Sequence, residues 1–164
     1  MGSFTVKNLW AILCYKCIID KATNQISLVD IIEGITLGAE PAGAEYVEAL
    51  EKELAEHEVV LLPMKMQLVM TWTRTDRDQP QIGEARAELF TPSGKVIARS
   101  LIDVDLTHAM NNRTFIQFPA FPYTGLGTYL MVVSSRLKGG KRWKKVAELN
   151  VDVVVAQETN DGNG

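Results

Sequence analysis

A chain of 164 residues is one ordinary domain, long enough to bury a hydrophobic core. Apolar residues make up 46% and charged residues 23% of it, proportions of a globular chain that exclude a fibrous or disordered class. The formal charge of −3 argues against the whole molecule as an electrostatic binder of nucleic acid, which needs a net basic surface or patch.

Residues 9–19 follow Lys7 as an apolar run. The run is too short to span a bilayer, Lys16 interrupts it, and no small-x-small cleavage site follows. It reads as a first strand, and with two cysteines and no export signal a reducing cytoplasm is the expected compartment. A second strand is predicted over 25–37. From 42 to 57 the spacing changes: Tyr46, Ala49, Leu50, Leu54 and Ala55 recur at helical intervals among Glu45, Glu48, Glu51, Lys52, Glu53 and Glu56. With Pro41 near its start, this segment is predicted as one amphipathic helix lying across an open end of a sandwich.

Strict alternation then returns. Met64, Met66, Leu68, Met70 and Trp72 alternate with Lys65, Gln67, Val69, Thr71 and Thr73, as in a strand with one face in the core. The runs 82–90 and 96–106 flank Thr91-Pro92-Ser93-Gly94 and form a hairpin, with Ile102, Val104 and Leu106 inward and Asp103 and Asp105 outward. Further strands are predicted at 113–118, 129–137 and 143–156, the last two joined by the tip Lys138-Gly139-Gly140-Lys141. Between them lies FPAFPYTGLGTY. Pro119 and Pro122 block regular ladder pairing, Gly127 allows tight re-entry, and Tyr129 opens the next strand, the pattern of a corner between two sheets. The expected fold is all-β: a two-sheet antiparallel sandwich of about eight strands with the helix 42–57 inserted. Residues 1–156 form the single domain, and 157–164 a disordered tail.

Each candidate for chemistry has a structural reading. Cys14-Tyr15-Lys16-Cys17 could be a redox pair or, with His57 and His108, a zinc set. The motif sits in a strand, where positions i and i+3 face opposite ways, and lacks the helix N-terminus that lowers a redox thiol's pKa. Asp76 with Asp78, and Asp103 with Asp105, lack the further oxygen ligands of a calcium loop. His108 and Ser134-Ser135 have no recognisable catalytic partner. No catalytic, cofactor or metal site is assigned. The cationic stretch around Lys138, Lys141, Arg142, Trp143, Lys144 and Lys145 is the candidate interaction surface, either as charges that blunt a sheet edge or as a patch for an acidic partner. Glu48 and Glu51 on the acidic helix could be its counterpart, within one chain or between copies.

The segments AILCYKCIID, ISLVDIIEGITL, LFTPSGKVI and FPAFPYTGLGTYLMVV, over most of 9–155, resemble a family of small, uncharacterised bacterial proteins of single immunoglobulin-like β-sandwich type. The resemblance implies the fold and carries over no catalytic residue; the acidic helix departs from the shorter connection expected there. The expected function is a non-catalytic protein-interaction or self-association module, because residues 9–19 and 146–155 are apolar on both alternations and call for cover from the helix or another subunit. The alternative is a small-ligand or carbohydrate-binding sandwich built on Trp72, Trp143 or Tyr123, with an enzyme around His108 as a third reading. Nucleic acid and membrane are not expected partners.

Overall fold

The computed structural model describes residues 6–39 and 43–157. It is all-β with one helix, as the alternation predicts. The elements are β1 (Val6–Ile19), β2 (Ile26–Ile31), β3 (Gly34–Leu37), α1 (Gly43–Glu56), β4 (Val60–Leu62), β5 (Met66–Arg74), β6 (Gln81–Phe90), β7 (Val96–Leu106), β8 (Asn111–Phe118), β9 (Phe121–Tyr123), β10 (Gly127–Leu137) and β11 (Lys144–Val155). One sheet has the order β2-β1-β5-β8, the other β3-β11-β10-β6-β7, and β4 and β9 form a two-stranded ribbon. The first sheet contributes Leu68, Met70 and Trp72 to the core, and the second contributes Leu89, Val104, Tyr129 and Met131. These are the inward phases of strands that alternate apolar and polar residues.

The run 25–37, expected as one strand, is two strands in different sheets. Asp30 takes a left-handed φ of 52°, a conformation that aspartate tolerates better than most side chains. Ile32 N–H still bonds to Leu13 of the first sheet at 2.8 Å, while the Glu33 carbonyl already accepts from Asp152 of the second at 3.2 Å. The chain therefore changes sheets within two residues. Because β3 then runs parallel to β11, with Ile35 opposite Val153, the sandwich is not wholly antiparallel as expected.

The helix covers Gly43–Glu56 rather than 42–57; Pro41, Ala42 and 158–164, which is the expected tail apart from Gln157, lie outside the described residues. Its Leu50 is buried, Tyr46, Val47 and Leu54 pack against the core, and its neighbours are β3 and β4. Phe118 ends β8 in one sheet and Gly127 begins β10 in the other, so the chain crosses between sheets at the expected place. Pro122, however, does not prevent pairing: it sits opposite Leu61 in the ribbon. A strand with one open edge tolerates proline there. At Gly127 a Cβ would stand 2.9 Å from the Pro92 ring, so the β6–β7 turn packs on the corner only because no side chain is present.

Candidate functional site

The cationic hairpin between β10 and β11 is engaged with its own sandwich. Arg136 Nε meets Glu84 at 2.6 Å, and Lys138 meets Asp103. Lys145 pairs with Glu148. The Trp143 ring is half-buried between two guanidiniums, those of Arg86 and Arg136, at 4.5 and 4.3 Å from its centre. Glu88, itself 7% exposed, takes two hydrogen bonds from Arg99 and lies 2.9 Å from Arg86 Nε, whose N–H does not aim at it. This ladder covers the outer face of the second sheet. Lys141, Arg142 and Lys144 remain exposed and form no salt bridge among the described residues. The hydrogen bond to Asp103 holds the Lys138 ammonium above the usual lysine range. A pair with that sign is intact at neutral pH and is lost as pH rises through the raised value.

Docking of the acidic helix on this hairpin within one chain is ruled out by topology. β11 begins at the hairpin, and its far end, Val155, lies beside Leu37, just before α1. A strand of that length spans roughly 36 Å at about 3.3 Å per residue. Glu48 and Glu51, both exposed, sit at the opposite end of the sandwich from Lys138 and Lys141.

Cys14 is buried and Cys17 half-buried, both as free thiols. Burial pushes both pKa values up, with the neighbouring Cys17 adding to the effect at Cys14 and Arg113 opposing it at Cys17. Raised thiols are poor nucleophiles and poor metal ligands at neutral pH. Among the described residues no three His, Cys, Asp or Glu side chains converge on a possible metal position. Asp105 instead accepts from the Thr107 hydroxyl and N–H, which hold its carboxyl low, and Asp76 accepts from Asp78 N–H. His57 and His108 are exposed; Ser134 and Ser135 are buried.

Part of the outer phase of the strand apolar on both alternations is covered by an arm of the same chain rather than by the helix, while Leu9, Ile18 and Ile19 stay 49%, 46% and 40% exposed. Leu9, Ile19, Asn24, Thr71 and Arg113 line one groove. Ten residues of straight strand would hold Leu9 and Ile19 about 33 Å apart, so β1 curls and the β1–β2 arm folds back over the outer face of its own sheet. Two contacts pin it there. Arg113 donates to the Asn24 carbonyl at 2.6 Å and to Asn24 Oδ1 at 3.3 Å, and Cys17 N–H donates to Gln67 Oε1 at 3.0 Å. The arm explains why Cys14 and Val69, both on the outer phase of their strands, are fully buried. Arg113→Ala is expected to cost only about 1 kcal/mol globally, because the guanidinium lies at the surface. It should, however, speed amide exchange throughout the arm while the protection of β10 stays unchanged. Exchange read by mass spectrometry checks this; uniform acceleration in both regions would mean that the arm does not open as a separate unit.

None of the aromatics expected as a sugar platform is available. Trp72 is 0% and Tyr123 3% exposed, and Trp143 is clamped as described. Among the described residues the exposed aromatics are Tyr15, at 52%, and Phe115, at 37%. β1 pairs with β5 as far as Cys14 opposite Gln67, then leaves it. The fork so formed is a groove of about 590 Å³, with Tyr15, Lys16, Lys65, Gln117, Phe118 and Pro119 on its walls and Met66 beneath. Sequence reasoning missed this site. Its one visible signal is Tyr15-Lys16, a polar interruption in an otherwise apolar strand.

No helix of the described residues is long and apolar enough to cross a membrane. No protein-family model matches the chain, and no curated protein matches it. Among solved structures it is similar to the alkylpurine DNA glycosylase AlkC of Pseudomonas fluorescens, bound to DNA containing an abasic site analog. The TM-score is 0.35 at 12% identity, over 60% of this chain and 28% of that one. The chain thus matches little more than a quarter of that protein's length, and a likeness of this degree carries no argument about fold or function.

Proposed function

We propose that the protein is a non-catalytic interaction module of immunoglobulin-like type that works in the cytoplasm and docks through the β1–β2 arm, with a second copy as the first partner. The observation that carries this reading is the solvent face of the arm. Ile18 and Ile31 are 46% and 56% exposed, and their pairing with Ser27 and Cys14 puts them on the same side of the two-stranded arm. They stand four positions apart along the arm with the Lys16–Val29 pair between them, and exposed aliphatic residues that share a side are what interaction surfaces present. The tyrosine corner supports the immunoglobulin-like type, and the two free thiols support a reducing compartment. The alternative of a carbohydrate sandwich lacks its expected platforms, all three being buried or clamped.

Light scattering at two salt concentrations tests the reading. The expected species is a dimer or larger at both, since an aliphatic contact is not screened, and Ile18→Lys combined with Ile31→Lys should give a monomer. A strict monomer before substitution would overturn self-association. A dimer indifferent to both substitutions would remove the arm as its contact.

A further inference from the structure

We propose that the fork where β1 leaves β5 receives an extended, acidic segment of a protein partner. The proposal rests on reading the protein as an interaction module and names the chemistry of a partner that such a module would take.

Three observations converge on the fork. The first is a parting of strands. On one side β5 stays paired with β8 down to Met66 opposite Phe118; on the other its pairing with β1 stops at Gln67. At Met66, therefore, β5 has no strand on its β1 side among the described residues. Met66 is itself only 1% exposed, so the parting leaves an open cleft above a buried floor, a shape in which an extended chain can lie. The second is the walls, where Tyr15, Phe118 and Pro119 offer apolar contact to one phase of an extended peptide's side chains. The third is charge. Lys16 and Lys65 both line the groove and are exposed, and neither forms a salt bridge among the described residues. The salt bridges among the described residues lie at the second sheet's outer face and at Lys95 with Glu58. Two unpaired ammonium groups across a groove favour carboxylates on the other phase of the peptide and steer them in.

Other occupants fit less well. Phosphate backbones are held by several cations acting together, and here there are two in a chain of net charge −3. A small anion would satisfy the lysines, and the groove is of a size for one, but it would leave the apolar walls of Tyr15, Phe118 and Pro119 unused. A segment that alternates apolar and acidic side chains takes up both features.

The test uses the full chain and a fluorescein-labelled eight-residue peptide of alternating Glu and Val, read by fluorescence anisotropy. Amide shifts at Tyr15 and residues 65–67 locate the binding. Saturable binding is expected, with those amides moving. Affinity should fall about tenfold or more, a change of about 1.4 kcal/mol, when Lys16→Glu and Lys65→Glu are combined, and by a similar factor when the peptide carries Gln in place of Glu. Both lysines are exposed, so the double variant should keep the parent's melting temperature. Absence of peptide binding, undiminished binding by the folded double variant, or shifts confined to other surfaces would each overturn the proposal. So would succinate moving the same amides and displacing the peptide at equal concentration, which would make the fork a small-anion site. The interaction-module reading is judged separately by solution mass: if the Ile18 and Ile31 substitutions dissociate a dimer while the peptide fails, only the assignment of the fork falls.

Discussion

Replacing Trp72 with alanine is expected to lower stability by about 3–5 kcal/mol, a large share of the roughly 5–15 kcal/mol available to a domain. The ring is 0% exposed in the middle of β5, and no smaller neighbour can refill its volume without moving a sheet. It also carries a polar obligation, because Trp72 Nε1–H donates to Thr114 Oγ1 on the adjacent β8 at 2.8 Å, with both groups buried. Truncation removes the apolar contacts and leaves the threonine hydroxyl without its donor. Trp72→Phe separates the two terms: much of the volume remains and the hydrogen bond goes, for an expected loss of about 1–2 kcal/mol. Urea titration followed by the fluorescence of Trp10 and Trp143 measures both. A loss below about 1 kcal/mol for the alanine variant, with an unchanged denaturant slope, would show that the core closes over the gap and is far less tightly packed than native interiors are.

The same residues show what could be read in advance. β5, β6 and β7 were legible because each lies with one face on the core, so burial imprints a period of two on the chain. The break at Asp30 left no such imprint. Both halves of 25–37 are apolar enough to be strand, and only the partners, Leu13 on one side and Asp152 on the other, decide that they belong to different sheets. The ribbon strands β4 and β9 are three residues each, shorter than any window in which periodicity shows. The double apolarity of β1 was visible, but its cover depends on a curl in the same strand and on Arg113, distant in sequence. The candidate sites divide in the same way. The cations at 138–145 stand out as a cluster, yet Glu84, Asp103 and Glu148, which pair with part of the hairpin, are scattered among other strands or outward phases. The fork joins Tyr15 and Lys16 to Lys65 only because the β1–β5 register ends at Cys14, and the point at which two strands part is a tertiary fact. Local periodicity thus locates the faces of strands, while sites made where strands diverge escape it.

Tyr129→Phe should cost about 1–3 kcal/mol although it removes a single oxygen. That oxygen serves the corner between the sheets. Tyr129 Oη accepts from Thr124 N–H at 2.8 Å, donates to the Gly125 carbonyl at 2.8 Å and lies 3.0 Å from Thr124 Oγ1. Thr124 and Gly125 fall between β9 and β10, where no ladder supplies partners, so the phenol stands in for a strand. The ring itself is fixed: it is fully buried and packs edge-on to Phe121 at 4.9 Å, so phenylalanine can take its place without repacking. What changes is the satisfaction of the segment. Part of the loss returns if water reaches the half-buried Thr124, which places the expectation nearer the lower end of the range. Two measurements make the origin plain. The Thr124 amide should exchange faster in the variant than in the parent, beyond what the global destabilisation accounts for. Thr124→Ala combined with Tyr129→Phe should cost less than the sum of the two, since both act on one hydrogen-bonded group. Strict additivity, with the Thr124 amide still protected, would mean that the corner is held by the packing of Tyr129 on Phe121 and that its hydrogen bonds add nothing.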